Sequence, residues 1–239
     1  GGQDDPHRGV DRCRRAAVPM GPDRLVRRRS DGIAAVAGFA VLVTCGLIAR
    51  SGTVGDAERS VFEAINGLPE GLEPVMHQAQ FLGVLAIGPV VALIALALHR
   101  YRLAAAAALV TVFKLVGERI VWKVVDRERP GVTEPNAIVR GGTDTEGVSF
   151  VSGHVVLVTG LAWVITPYLR GRWRIIPWLV VALVCFARIY LGAHNPLDVL
   201  GGFALGVAIG AIANLLVKVP AAGADTDEPG REAPAPSSG

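Results

Sequence analysis

The chain has 239 residues, 51% of them hydrophobic and 19% charged, with a formal net charge of +3. That apolar balance, with a mean hydropathy of +0.43, lies outside the usual composition of soluble domains and points to an integral membrane protein. The mild basic excess is not a nucleic-acid footprint, because the Lys and Arg residues flank apolar segments without interleaved aromatics, as residues beside a bilayer surface do.

Residues 1–31 are rich in Arg, Asp, Gly and Pro and lack apolar periodicity, which predicts a disordered basic arm. Apolar runs follow at residues 32–49, 81–98, 103–125, 155–169, 175–191 and 197–217. Each is close to the length that crosses a hydrocarbon core about 30 Å thick. The predicted fold is therefore all-α, a polytopic membrane bundle of six transmembrane helices over residues 32–218, with a disordered tail at 219–239. A soluble bundle would carry a polar stripe on each helix, whereas the run at 81–98 has no charge on any face.

Loop charge sets the expected orientation. Arg24, Arg27, Arg28 and Arg29 precede the first run, Arg100 and Arg102 separate the second from the third, and Arg170, Arg172 and Arg174 separate the fourth from the fifth. These positions share one side, which the positive-inside rule makes cytoplasmic together with both termini of a cell-membrane protein. The acidic loop with Asp56, Glu58, Glu63, Glu70 and Glu73 falls on the other side, as do segments 126–154 and 188–198.

Within the runs, Gly202, Gly206 and Gly210 recur every four residues and predict a close helix approach inside the same chain. Lys114 and Glu118 share a helix face and are read as a structural pair. Arg127 and Arg140 could meet an anionic headgroup or be solvated loop charges, and His77 and His99 receive no role. Cys13, Cys45 and Cys185 are scattered, so neither a disulfide framework nor a zinc site is expected.

Three polar clusters reach the outer side: Lys123 with Arg129 and Pro130, then Ser152-Gly153-His154, then Arg188 with His194 and Asp198. Ionisable groups at a membrane edge are costly, which makes such a cluster a candidate site. Arginines and backbone N–H groups at a helix start are what a phosphoryl group needs, and Arg129, Arg188, Ser152 and Gly153 fit that task. In-line displacement also needs a nucleophile and a proton donor. His194, four residues before Asp198, is placed to have one ring nitrogen held by that carboxylate and the other free to attack, while His154 remains as the acid. This scheme calls for no metal and no cofactor.

The clusters resemble the type 2 phosphatidic acid phosphatase (PAP2) superfamily, whose motifs are K-x6-RP, PSGH and SR-x5-H-x3-D. Here they stand as Lys123 to Arg129-Pro130, Val151-Ser152-Gly153-His154, and Ala187-Arg188 to His194 to Asp198. Three departures are visible: Lys123 is six residues before Arg129, with Trp122 in the usual slot; Val151 replaces Pro; Ala187 replaces Ser. The resemblance implies a PAP2/haloperoxidase-like helical fold and a metal-independent lipid phosphatase at the extracytoplasmic face. It implies His194 as nucleophile, Asp198 as its orienting acid, His154 as general acid, and Arg129, Ser152, Gly153, Arg188 and Lys123 around the phosphate. Its substrates would be an isoprenyl pyrophosphate, phosphatidic acid or phosphatidylglycerol phosphate in the bilayer, among which the residues do not choose, nor do they select an oligomeric state. A lipid phosphotransferase and a non-catalytic lipid-phosphate binder are the alternatives. The vanadium haloperoxidases share the motifs but are soluble, which the apolar runs oppose.

Overall fold

A computed structural model describes residues 25–143 and 146–220. Among them lie the helices α1 (Arg29–Ala49), α2 (Asp56–Asn66), α3 (Glu73–Gln80), α4 (Ile87–Ala97), α5 (Tyr101–Val124), α6 (Pro130–Thr133), α7 (Gly153–Ile165), α8 (Ile176–Tyr190) and α9 (Pro196–Val217). Two-residue strands, β1 (Leu25–Val26) before α1 and β2 (Val219–Pro220) after α9, pair antiparallel with each other. The architecture is otherwise all helical.

Every apolar run lies on helix, and the second begins with a 3-10 turn at Phe81–Gly83 before α4. Among the described residues, Arg29–Ala49, Gly171–Tyr190 and Pro196–Val217 are long and apolar enough to cross a membrane. Glu70–Gly83 and Ile87–Ala97, bent by 62° at their junction, would together make a fourth crossing. Helix α5 has 24 residues, but Lys114, Glu118 and Arg119 interrupt its apolar middle, and α7 has only 13 residues. Length and composition thus support up to four of the six expected crossings.

The expected terminal boundaries move. Helix α1 begins at Arg29 rather than residue 32, because Asp31 is buried there, bonded to Arg28 at 3.2 Å and to the Trp163 indole N–H at 2.9 Å. The β1–β2 pairing likewise draws Leu25–Val26 and Val219–Pro220 into the fold. The remainder of the arm and tail, 1–24 and 221–239, lies outside the described residues.

Helix α9 is the hub, and small residues let its neighbours come close. A methyl group added to Gly202, Gly206 or Gly210 would lie 2.8 Å from the Ser152 carbonyl, 2.6 Å from Thr159 Cβ and 2.7 Å from Trp163 Cβ. The four-residue glycine spacing therefore serves packing of α9 on α7 within the chain. One consequence is positional: the start of α7 meets the start of α9, where the Ser152 N–H donates to the Asp198 carbonyl at 3.1 Å. On the outside, Ile33 and Val36 of α1, Leu93 of α4, Ile120 of α5 and Leu179 of α8 are exposed, an apolar surface suited to lipid rather than water.

Candidate active site

The turn between α8 and α9 is built to present His194. Gly192 adopts φ +73° and ends α8, and a side chain there would collide with the Ile138 carbonyl at 2.7 Å. The Ala193 and His194 N–H groups then turn back to the Arg188 carbonyl at 3.0 and 3.3 Å. Asn195 follows at the N-cap of α9 and Pro196 at its first turn, the position where a missing N–H costs nothing.

Behind His194 lies a buried polar network. Asp198 is fully buried and only accepts: Oδ1 takes Arg127 Nη1 at 3.0 Å, and Oδ2 takes the Ser149 hydroxyl at 2.6 Å and the Asn195 N–H at 2.9 Å. His194 Nδ1 stands 4.0 Å from Asp198 Oδ2, beyond hydrogen-bonding distance, and 3.3 Å from Ser149 Oγ. Ser149 thus bridges a pair that the i, i+4 spacing had suggested would touch directly. A serine hydroxyl has one hydrogen, and here it goes to Asp198. The Nδ1 contact then has the imidazole N–H as donor, which leaves the Nε2 lone pair free.

Arg127 is fully buried, and its second partner is Glu58 on α2, at 2.7 Å from Nη2. Burial opposes its charge, but the hydrogen bonds and negative charges of Glu58 and Asp198 raise its pKa above the ordinary arginine value, so it stays cationic. Glu58 also accepts the Leu197 N–H at 2.9 Å, tying α2 to the first turn of α9. Arg127 is therefore neither a headgroup contact nor a solvated loop charge. Arg140 is structural too: it is buried, donates to the Asn66, Tyr190 and Leu68 carbonyls, and stacks on the Tyr190 ring.

In front of His194 is a cavity of about 270 Å³. His194, His154, Arg129, Arg188 and Gly153 all line it, so residues far apart in the chain converge on one space. Arg188, in the last turn of α8, is buried and donates to Gln80 Oε1 at 2.5 Å. Arg129 donates to the Glu146 and Ala193 carbonyls, both at 3.1 Å. Burial, then the charges of Arg188 and Arg129, then neighbouring His154, hold the His194 imidazole well below its ordinary pKa. A neutral ring keeps one nitrogen lone pair, which is what nucleophilic attack requires.

The sequence model of the PAP2 superfamily matches residues 95–219, over half of the chain and every residue of this cavity except those of the 83–85 turn. The chain belongs to the PAP2 superfamily. A lipid A 4'-phosphatase from Porphyromonas gingivalis is 39% identical over 64 residues, a match that spans about a quarter of either protein, 26% of each. The crystal structure of Aquifex aeolicus LpxE superposes with a TM-score of 0.62 at 20% identity, covering 67% of this chain and 98% of that one. A transmembrane PAP2 type phosphatidylglycerolphosphate phosphatase from Bacillus subtilis gives 0.58 at 23% identity, covering 74% and 94%. Both likenesses are of fold, that of a polytopic membrane helical bundle.

Two residues nominated by the PAP2 motifs sit differently from expectation. Lys123 is exposed and does not line the cavity, whereas Trp122 does. One helical residue is about 100° of rotation, enough to carry the lysine off the cavity face of α5. Ser152 is the N-cap of α7, with its hydroxyl buried and without a hydrogen-bond partner among the described residues. Sequence reasoning passed over Ser149 and Gln80, and it read Arg127 and Glu58 only as loop charges or, for Arg127, a headgroup contact. Ser149 lies three residues before Ser152, close enough to the second motif to have raised the question.

Proposed function

We propose that this protein hydrolyses the phosphate or pyrophosphate group of a membrane lipid through a phosphohistidine at His194, on the extracytoplasmic side of the cell membrane. The observation that carries this reading is the convergence of two imidazoles and two guanidiniums on one cavity, with a carboxylate held behind one imidazole. His194 Nε2 attacks phosphorus while the bond to the lipid oxygen breaks, and His154 gives its proton to that oxygen. Arg129, Arg188 and the α7 N-terminus at Gly153 meet the charge on the non-bridging oxygens, while Ser152, whose N–H is taken by the Asp198 carbonyl, holds that helix start in place. In the second half, His154 takes a proton from water as the water oxygen attacks phosphorus, freeing His194 and inorganic phosphate. All of these groups belong to the chain, so the scheme routes no step through a metal ion.

The apolar surface favours a substrate confined to the bilayer. Isoprenyl pyrophosphate, phosphatidic acid, phosphatidylglycerol phosphate and a lipid A phosphate are the panel to test. Phosphate release from that panel, measured with EDTA present, is expected for the native chain and abolished in His194→Ala. Unchanged turnover in that variant would defeat the reading, and so would transfer to a second lipid without free phosphate.

A further inference from the structure

Helix α5 places three residues on the cavity at four-residue spacing: Lys114, Glu118 and Trp122. The Lys114 ammonium is 2.5 Å from Glu118, and the two side chains are only 12% and 9% exposed. Such a pair, largely buried in the middle of α5, is a poor source of stability, because desolvating both charges offsets most of their attraction. Its position is more informative. A methyl group built on Gly153 would fall 2.1 Å from Glu118 Oε1 and 3.0 Å from Lys114 Nζ, so the pair lies directly against the start of α7. Lys123, the lysine nominated by motif, is outside the cavity; Lys114 is inside it.

Resting on the phosphatase reading above, we infer that Lys114 is a phosphate-binding residue of this cavity, held in place by Glu118 until the anion arrives. An ammonium has three donors, and among the described residues Glu118 is the partner Lys114 has. The remaining donors are available to a phosphoryl oxygen that Arg129 and Arg188 reach from the other walls. The predicted substrate class is one whose phosphate enters far enough to lie level with Glu118, one turn of α5 from the lysine.

The test is titration of the purified full chain in detergent with inorganic phosphate, read as the rise in unfolding midpoint with concentration. The variant K114L/E118L replaces the pair by apolar side chains, a change buried pairs commonly tolerate. It is expected to fold and to bind phosphate at least tenfold more weakly, while K123A binds as the native chain does. E118Q leaves a buried cation without its partner, so its midpoint should fall without phosphate and recover more than the native chain's when phosphate is added. Binding by K114L/E118L within twofold of native, or no extra recovery in E118Q, would overturn the assignment. Lipid phosphate turnover is measured alongside: Lys114-dependent phosphate binding without any turnover would remove the phosphatase reading and leave this one standing. Turnover with phosphate binding indifferent to Lys114 would do the reverse.

Discussion

Across the cavity the two histidines are held in different ways. His194 backs onto Ser149, and through it onto Asp198, Arg127 and Glu58, a buried chain that joins four separate segments. The His154 imidazole, in the first turn of α7, makes no hydrogen bond among the described residues, and the residue is bounded by Gly83, where an added methyl would lie 2.7 Å from its Cβ. A nucleophile needs one tautomer and one direction, which a network of fixed partners supplies. A proton carrier that serves first as acid and then as base needs proximity and freedom to exchange, which packing without hydrogen bonds allows.

The contrast predicts unequal losses. His194→Ala should lower phosphate release by at least about a thousandfold, roughly 4 kcal/mol of transition-state stabilisation, as measured by kcat/KM on a lipid phosphate. Arg127→Gln leaves the buried carboxylate of Asp198 and the partly buried carboxylate of Glu58 without their cation and should cost about 3–5 kcal/mol of stability, seen as a lower unfolding midpoint. Ser149→Ala should lower kcat about tenfold or more with little change in KM, about 1.4 kcal/mol or more, and Ser149→Thr should recover part of that loss. An equal loss in both variants would mean that Ser149 acts through packing. Lys123→Ala should change kcat/KM by less than about twofold, because its side chain is exposed and does not line the cavity.

The pH dependence follows from the depressed His194 pKa. A ring held below its ordinary value remains neutral as pH falls, so the acid limb of kcat/KM that reports this group should lie below about pH 6.5. Arg188→Gln removes a repelling positive charge, so whatever activity survives should show that limb at higher pH. Stability has the matching sign: the unfolded imidazole takes up its proton near pH 6.5 and the folded one does not. This group's contribution to stability is therefore present above that value and is lost as pH drops through it toward the folded pKa.

Much of this arrangement was legible in the chain itself. Unbroken apolar runs marked the helices, and the spacings Arg188 to His194 to Asp198 marked one side of the cavity, because both patterns are local and periodic. The network behind His194 was not legible. Glu58 and Arg127 are 69 residues apart, Asp198 is a further 71 from Arg127, and no spacing rule links positions that meet only after the helices pack. Lys114 and Glu118 were visible as a pair, but an i, i+4 pattern gives the shared face and not what the face looks onto. The helix count was the weakest reading: the second run is bent off a 3-10 turn, and charges divide α5, so hydropathy and length no longer agree.

The account turns on a covalent intermediate at one ring nitrogen. Rapid quenching of the native chain with a phosphorus-labelled lipid phosphate, followed by peptide mass analysis under conditions that preserve phosphohistidine, tests it directly. Label on His194 that appears before free phosphate, and is absent from His194→Ala, is the predicted result. Turnover with no label on His194, or with label on another residue, would contradict it.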